Sequence, residues 1–176
     1  SHSQLAAARA QVSEAAQRAV RIAILDTGFD PQHATRPLEL DLAAAGNFVE
    51  GNGPGDATEP DGSGRGLGEN RGHGTATLAL LARRRITRPD VDDFLGGAPL
   101  ATVVPVRIAE SVIHLASSAM ARGIDHAVDA GCHVVSISMG GVPSREWARA
   151  VNRAYEAGVA IFAAAGNNVA GFPTTG

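Results

Sequence analysis

Four short stretches of this chain are apolar almost without interruption, and each stops abruptly at a small or polar residue. Val20-Arg21-Ile22-Ala23-Ile24-Leu25 ends at Asp26-Thr27-Gly28, and Thr102-Val103-Val104-Pro105-Val106 ends at Arg107. His133-Val134-Val135-Ser136-Ile137-Ser138 runs into Met139-Gly140-Gly141, and residues 159–165 close on Gly166-Asn167. A strand with one wet face alternates apolar and polar residues, whereas a run without alternation is covered on both faces. Between these runs lie helical patterns. Residues 111–130 repeat apolar groups at Val112, Leu115, Ala119, Ile124, Ala127 and Val128, with Gly131 as terminator. Ser144 caps a second helix over 145–157, with Glu146 and Trp147 in its first turn and Gly158 beyond its end. Strand, helix, strand, helix, strand predicts an α/β fold: a doubly wound, mainly parallel sheet flanked by helices. Ligands of such sheets bind at the carboxyl ends of the strands. Asp26, Ser138 and Asn167 all fall there.

The 176 residues suffice for one domain with a core. Residues 1–19 read as a leading helix through Leu5, Ala8, Val12, Ala15, Ala16 and Ala19. This is a domain helix, a remnant of a propeptide junction or a partner-binding element. Residues 20–176 form the α/β domain. From Asn47 to Gly74, glycine recurs among Asp, Glu and Asn, which predicts a long surface loop. The Gly62-x-Gly64-x-Gly66-x-Gly68 spacing is no dinucleotide fingerprint, and no strand precedes it. A helix over 75–84 opens after His73-Gly74, with Arg83, Arg84 and Arg85 at its negative end. Pro105 places its strand at an edge or irregularity of the sheet.

Composition removes several function classes. All 15 basic residues are Arg, so no lysine Schiff base or P-loop lysine is available. A net charge of -3 gives no footprint for nucleic acid or an anionic membrane surface. Apolar runs stay well short of the roughly 18 residues of a membrane span. Cys132 is the single cysteine, which excludes an intrachain disulfide and a cysteine zinc cluster. A phosphotransferase with Asp26 as nucleophile would want a carboxylate where Gly28 stands. The six His are scattered, and Cys132-His133 point to opposite faces of a strand, which disfavours a metal hydrolase.

In combination, four segments resemble the subtilisin-like serine proteases (subtilases). Ile24-Leu25-Asp26-Thr27-Gly28-Phe29-Asp30 is similar to the strand carrying the triad aspartate, and Gly72-His73-Gly74-Thr75 to the triad histidine at its helix start. Ser138-Met139-Gly140-Gly141 resembles the backbone segment that binds extended substrate. Ala163-Ala164-Ala165-Gly166-Asn167 resembles the strand ending in the oxyanion asparagine. Gly97-Ala98-Pro99 fits the connection after the histidine helix. The resemblance implies catalytic roles for Asp26, His73 and Asn167, and peptide contacts from Ser138, Met139, Gly140, Ala165 and Gly166. Met139 would help wall the pocket for the residue before the cut. An imidazole can take a serine proton near neutral pH, and a carboxylate holds it in the needed tautomer. An asparagine amide can meet the oxyanion of the tetrahedral intermediate.

The departures also carry expectations. The usual Val-Ala-Gly stretch after Gly-Thr is replaced by Ala76-Thr77-Leu78-Ala79, so the histidine helix should pack differently. Thr35 stands where an acidic calcium ligand is common, so structural calcium is not supported there, and the chemistry needs no cofactor. The Gly-Thr-Ser-x-Ala-x-Pro segment of the family's nucleophile is absent from these residues. Its serine is expected beyond this chain or on a second, C-terminal fragment acting as partner, which leaves the 176 residues inactive alone. The substrates implied are peptides or proteins, with no nucleic acid or membrane partner. The alternative is a degenerate, non-catalytic binding module, against which Asp26, His73 and Asn167 all argue.

Overall fold

The apolar runs do assemble into one parallel sheet, because only neighbouring strands and covering helices can hide both of their faces. The structure, a computed structural model, describes residues 4–49, 53–60, 70–83, 85–88, 91–94, 96–111, 113–114, 117–165, 168–169 and 172–173. Two helices, α1 (Leu5–Ala10) and α2 (Glu14–Arg18), precede β1 (Arg21–Asp26) and β2 (Gly46–Asn47). Then come α3 (His73–Ala82), the antiparallel pair β3 (Arg85–Arg88) and β4 (Val91–Phe94), and β5 (Thr102–Arg107). Next are β6 (Ile113–His114), α4 (Ser117–Asp129), β7 (Val134–Ile137), β8 (Gly140–Gly141), α5 (Arg145–Glu156) and β9 (Ala160–Ala163). Finally β10 (Asn168–Val169) pairs with β11 (Phe172–Pro173). The main sheet has the order β2-β5-β1-β7-β9 and every pairing in it is parallel. No helix among the described residues is long and apolar enough to cross a membrane.

Alternation within each strand divides the core. Ala23 and Leu25 of β1, Val104 and Val106 of β5, and Val135 and Ile137 of β7 join one cluster with Ala119, Met120, Ile124, Ala150 and Ala154 of α4 and α5. Ile24 and Val103 face the other way, toward Phe29 and toward Leu78 and Ala82 of α3. Each such Leu, Ile or Val contributes about 1.5–3 kcal/mol relative to exposure. Outside the core, Arg153 of α5 forks onto the Asp125 carboxylate of α4 at 2.6 to 2.9 Å.

Some expectations are corrected. The leading segment is two helices rather than one. Ser13 starts the second by accepting from the Ala16 N–H, and the Gln17 amide closes the first by donating to the Arg9 and Val12 carbonyls. The helix expected over 75–84 begins at His73 itself and ends at Ala82, where Arg83 turns to an extended ψ of 135°. The helix expected over 111–130 starts only at Ser117, because Ile113–His114 form β6 and pair in parallel with Gly140–Gly141. Pro105 sits next to the sheet edge. The Val103 N–H donates outward to the Glu39 carbonyl, so the nitrogen of Pro105, two residues on, faces the same outer side. There β5 meets β2 only from Val106 onward.

Candidate active site

Register decides which side chains meet. Leu25 pairs with Ile137, and Ile137 with Ala163, so Asp26, Ser138 and Ala164 leave the sheet at one level. Asp26 is only 3% exposed. His73, first residue of α3, places Nδ1 2.7 Å from Asp26 Oδ1. A carboxylate only accepts, so the proton of this bond lies on Nδ1, and Nε2 keeps its lone pair in the neutral ring. The bond to Asp26 holds the His73 pKa above its ordinary value; burial opposes this, and the charges of Asp26 and Glu59 reinforce it.

The strand end and the helix start are stitched together through backbone. Thr27 N–H closes on Asp26 Oδ1 at 2.7 Å, Gly74 N–H donates to Thr27 Oγ1 at 3.2 Å, and Asp30 N–H donates to Thr75 Oγ1 at 2.9 Å. A Cβ at Gly74 would fall on the Gly28 carbonyl oxygen, so only glycine lets α3 approach this turn. Glu59 accepts from the Gly72 N–H at 2.9 Å and fixes the approach to His73. Arg107, fully buried, donates from Nε to the Thr27 carbonyl at 3.2 Å beneath the same turn. Thr77, one helical turn beyond His73, donates from Oγ1 to Asp26 Oδ2 at 2.8 Å. The sequence reading did not single out Glu59, Arg107 or the bond from Thr77. Thr77 alone left a signal: its i, i+4 spacing from His73 puts both side chains on one helix face.

The other candidate residues are distributed as follows. Ser138 is exposed and Gly140 half-buried, whereas the Met139 side chain is 2% exposed and packs in the main core. Ala165 is exposed; Gly166 and Asn167 lie outside the described residues. The Thr35 hydroxyl meets the His33 ring at 2.8 Å and brings no carboxylate, a poor fit to calcium. Among the described residues no group of three His, Cys, Asp or Glu side chains could hold a metal ion. His126 bonds the Ala44 carbonyl and packs edge-on against Phe48, and His133 Nδ1 accepts from the Arg21 N–H, so both have local structural partners. An open groove of about 1090 Å³ flanks the first turn of α3, lined by Pro31, His33, Glu59, Arg71 and Thr75 among others. It adjoins the Asp26–His73 pair without including it.

Comparison with known proteins gives the family and the fold. Residues 17–175 match the profile described as the subtilase family, peptidase S8. Subtilisin Savinase of Lederbergia lenta is 33% identical over 153 residues, covering 86% of this chain and 49% of the relative. Thermitase of Thermoactinomyces vulgaris is 32% identical over 148 residues, covering 84% and 47%. Among solved structures, MycP1 with its N-terminal propeptide removed superposes with a TM-score of 0.64 at 25% identity, over 94% of this chain and 47% of that one. A mutant of the protease domain of PatA gives 0.57 at 28% identity, over 85% and 50%. The chain spans about half the length of the curated relatives it matches.

Proposed function

The chain belongs to the subtilase family, and from that premise we propose that it carries the acid–base half of a serine endopeptidase site. The observation that carries the reading is the 2.7 Å bond from His73 to a buried Asp26 at the carboxyl end of the central strand. Asp26 orients the ring and stabilises the imidazolium; His73 Nε2 takes the proton of a serine and returns it to the leaving amine. Asn167 donates to the oxyanion. The backbone of Ser138 to Gly140, with Ala165 and Gly166, lines the path of an extended peptide, so the substrates are peptides or proteins. No cofactor enters the chemistry.

The nucleophile belongs to polypeptide outside these 176 residues, either continuous with them or supplied as a C-terminal fragment. The exposed flank of the sheet supports this. Strand β9 pairs with β7 on one side, Phe162 is 66% exposed, and Ala163 is exposed as well, unlike any residue of β1 or β5. Further polypeptide laid on β9 would cover that surface.

The test uses the complete protein and the 176-residue chain side by side. The complete protein should cleave an unstructured protein substrate and react with a fluorophosphonate probe, and His73→Ala should abolish both while the fold persists. The 176-residue chain alone should not react. Stoichiometric labelling of that chain would place the nucleophile within it and overturn the assignment. Peptide binding without turnover or labelling in the complete protein would mark a binding module instead.

A further inference from the structure

Asp26 meets three donors, and one of them comes from the stretch where this chain departs from the usual pattern after Gly-Thr. Oδ1 accepts from the Thr27 N–H and from His73, each at 2.7 Å. Oδ2 accepts from Thr77 Oγ1 at 2.8 Å. Both α3 side chains reach the carboxylate from one helix face, His73 to one oxygen and Thr77 to the other. The same hydroxyl also lies 3.1 Å from the Gly74 carbonyl, the back-bond that a helical threonine commonly makes. A hydroxyl has one proton, and the shorter contact to a charged acceptor is the stronger.

We propose that Thr77 is a positioning residue that holds Asp26 Oδ2, fixing the carboxylate plane against His73 and sharing charge that would otherwise bear more heavily on the bonds to Oδ1. The proposal rests on the acid–base reading of Asp26 and His73 given above. With Thr77 in place the carboxylate is pinned at both oxygens and cannot swing about its χ2, a torsion that is intrinsically broad. It also moderates how tightly the imidazolium is held. Glu59, the other acidic group acting on His73, accepts from the Gly72 N–H. Arg71 lines the open groove with Glu59, and Arg107 donates to the Thr27 carbonyl.

The experiment is an NMR titration of the His73 ring in the 176-residue chain, with Thr77→Val, Thr77→Ala and Thr77→Ser as variants. Without the hydroxyl, the bond from His73 carries more of the carboxylate's charge. The midpoint should rise by about half a pH unit or more in Val and Ala, and Ser should titrate with wild type. In the complete enzyme, Thr77→Val should move the acid limb of kcat upward by the same amount and lower kcat with little change in KM; Ser restores both. A folded Val or Ala variant that titrates like wild type, or a Ser variant that titrates like Ala, overturns the proposal. If Val does not fold, Ala and Ser decide between them. Asp26→Asn separates the two readings. If it leaves cleavage intact, the triad assignment falls whatever Thr77 does. If it abolishes cleavage while the titration is unmoved, Thr77 alone is refuted.

Discussion

Substituting Gly74→Ala should break the site and destabilise the domain through one added methyl group. Its Cβ would lie on the Gly28 carbonyl oxygen, 3.0 Å from the Gly28 carbonyl carbon and 3.1 Å from Asp26 Oδ1. Two of these three atoms are backbone, so no side-chain rotation relieves the clash. Restoring an ordinary carbon–oxygen contact of about 3.3 Å requires the first turn of α3 and the Asp26–Gly28 turn to separate by on the order of 1 Å. The bond from His73 to Asp26, now 2.7 Å, would then exceed the roughly 3.2 Å limit of a hydrogen bond. Overpacking costs about 1–3 kcal/mol, and loss of a hydrogen bond to a charged group about 1.5–3 kcal/mol. The combined loss of about 2.5–6 kcal/mol is a large share of the ~5–15 kcal/mol that stabilises a domain. Urea unfolding followed by circular dichroism should show a lower midpoint at unchanged slope. The His73 ring should titrate nearer its ordinary value. A variant within about 0.5 kcal/mol of wild type, with His73 unmoved, would refute the reasoning.

Three further outcomes follow from the same contacts. Because Asp26 raises the folded pKa of His73, the stabilisation is complete below the unfolded value of about 6.5 and lost as pH rises through the higher folded value. His73→Ala should therefore cost more stability at about pH 5.5 than at about pH 9 in chemical denaturation; a constant difference would contradict the linkage. Leu78→Ala removes a side chain 2% exposed against Phe29 and Ile24 and should cost about 2–4 kcal/mol in the same assay, with a value below about 1 arguing against tight packing there. Arg153→Ala breaks the fork onto Asp125, but both side chains are well exposed. The loss should stay below about 1 kcal/mol and shrink in salt, which a salt series would check.

The strands were legible because burial on both faces leaves continuous apolar runs, the Asp26 segment because a carboxylate closes such a run, and the His73 segment because it stands between two glycines. The ends of the helices were less so. Val12 and Ser13 interrupt the leading helix through a hydrogen bond that Ser13 accepts from the Ala16 N–H and one that Gln17 donates to the Val12 carbonyl, which compete locally with helix continuation and leave no mark on apolar periodicity. Ile113–His114 fell inside a helical pattern, but a long-range pairing with Gly140–Gly141 claimed them. The groups that brace the turn after Asp26 were hidden for a similar reason. Glu59 and Arg107 reach the turn from distant segments, and only the fold brings them to Gly72 and Thr27.

The place of β1 at the middle of the sheet shapes how this chain comes off the ribosome. Among the described strands it is the earliest in the chain, yet its flanks are β5 and β7, and Arg21 meets His133, 112 positions further along. At a synthesis rate of about 5–20 residues per second, Arg21–Asp26 waits on the order of 10 s for both neighbours. During that wait the nascent chain displays a strand with two open edges, the kind of segment that chaperones bind and that aggregates when left uncovered. The aspartate at its tip, by contrast, has its side-chain partners Thr27, His73 and Thr77 within the next 51 residues, all made before either flanking strand. The groups of the pair are thus synthesised while the strand that carries the aspartate still lacks both neighbours.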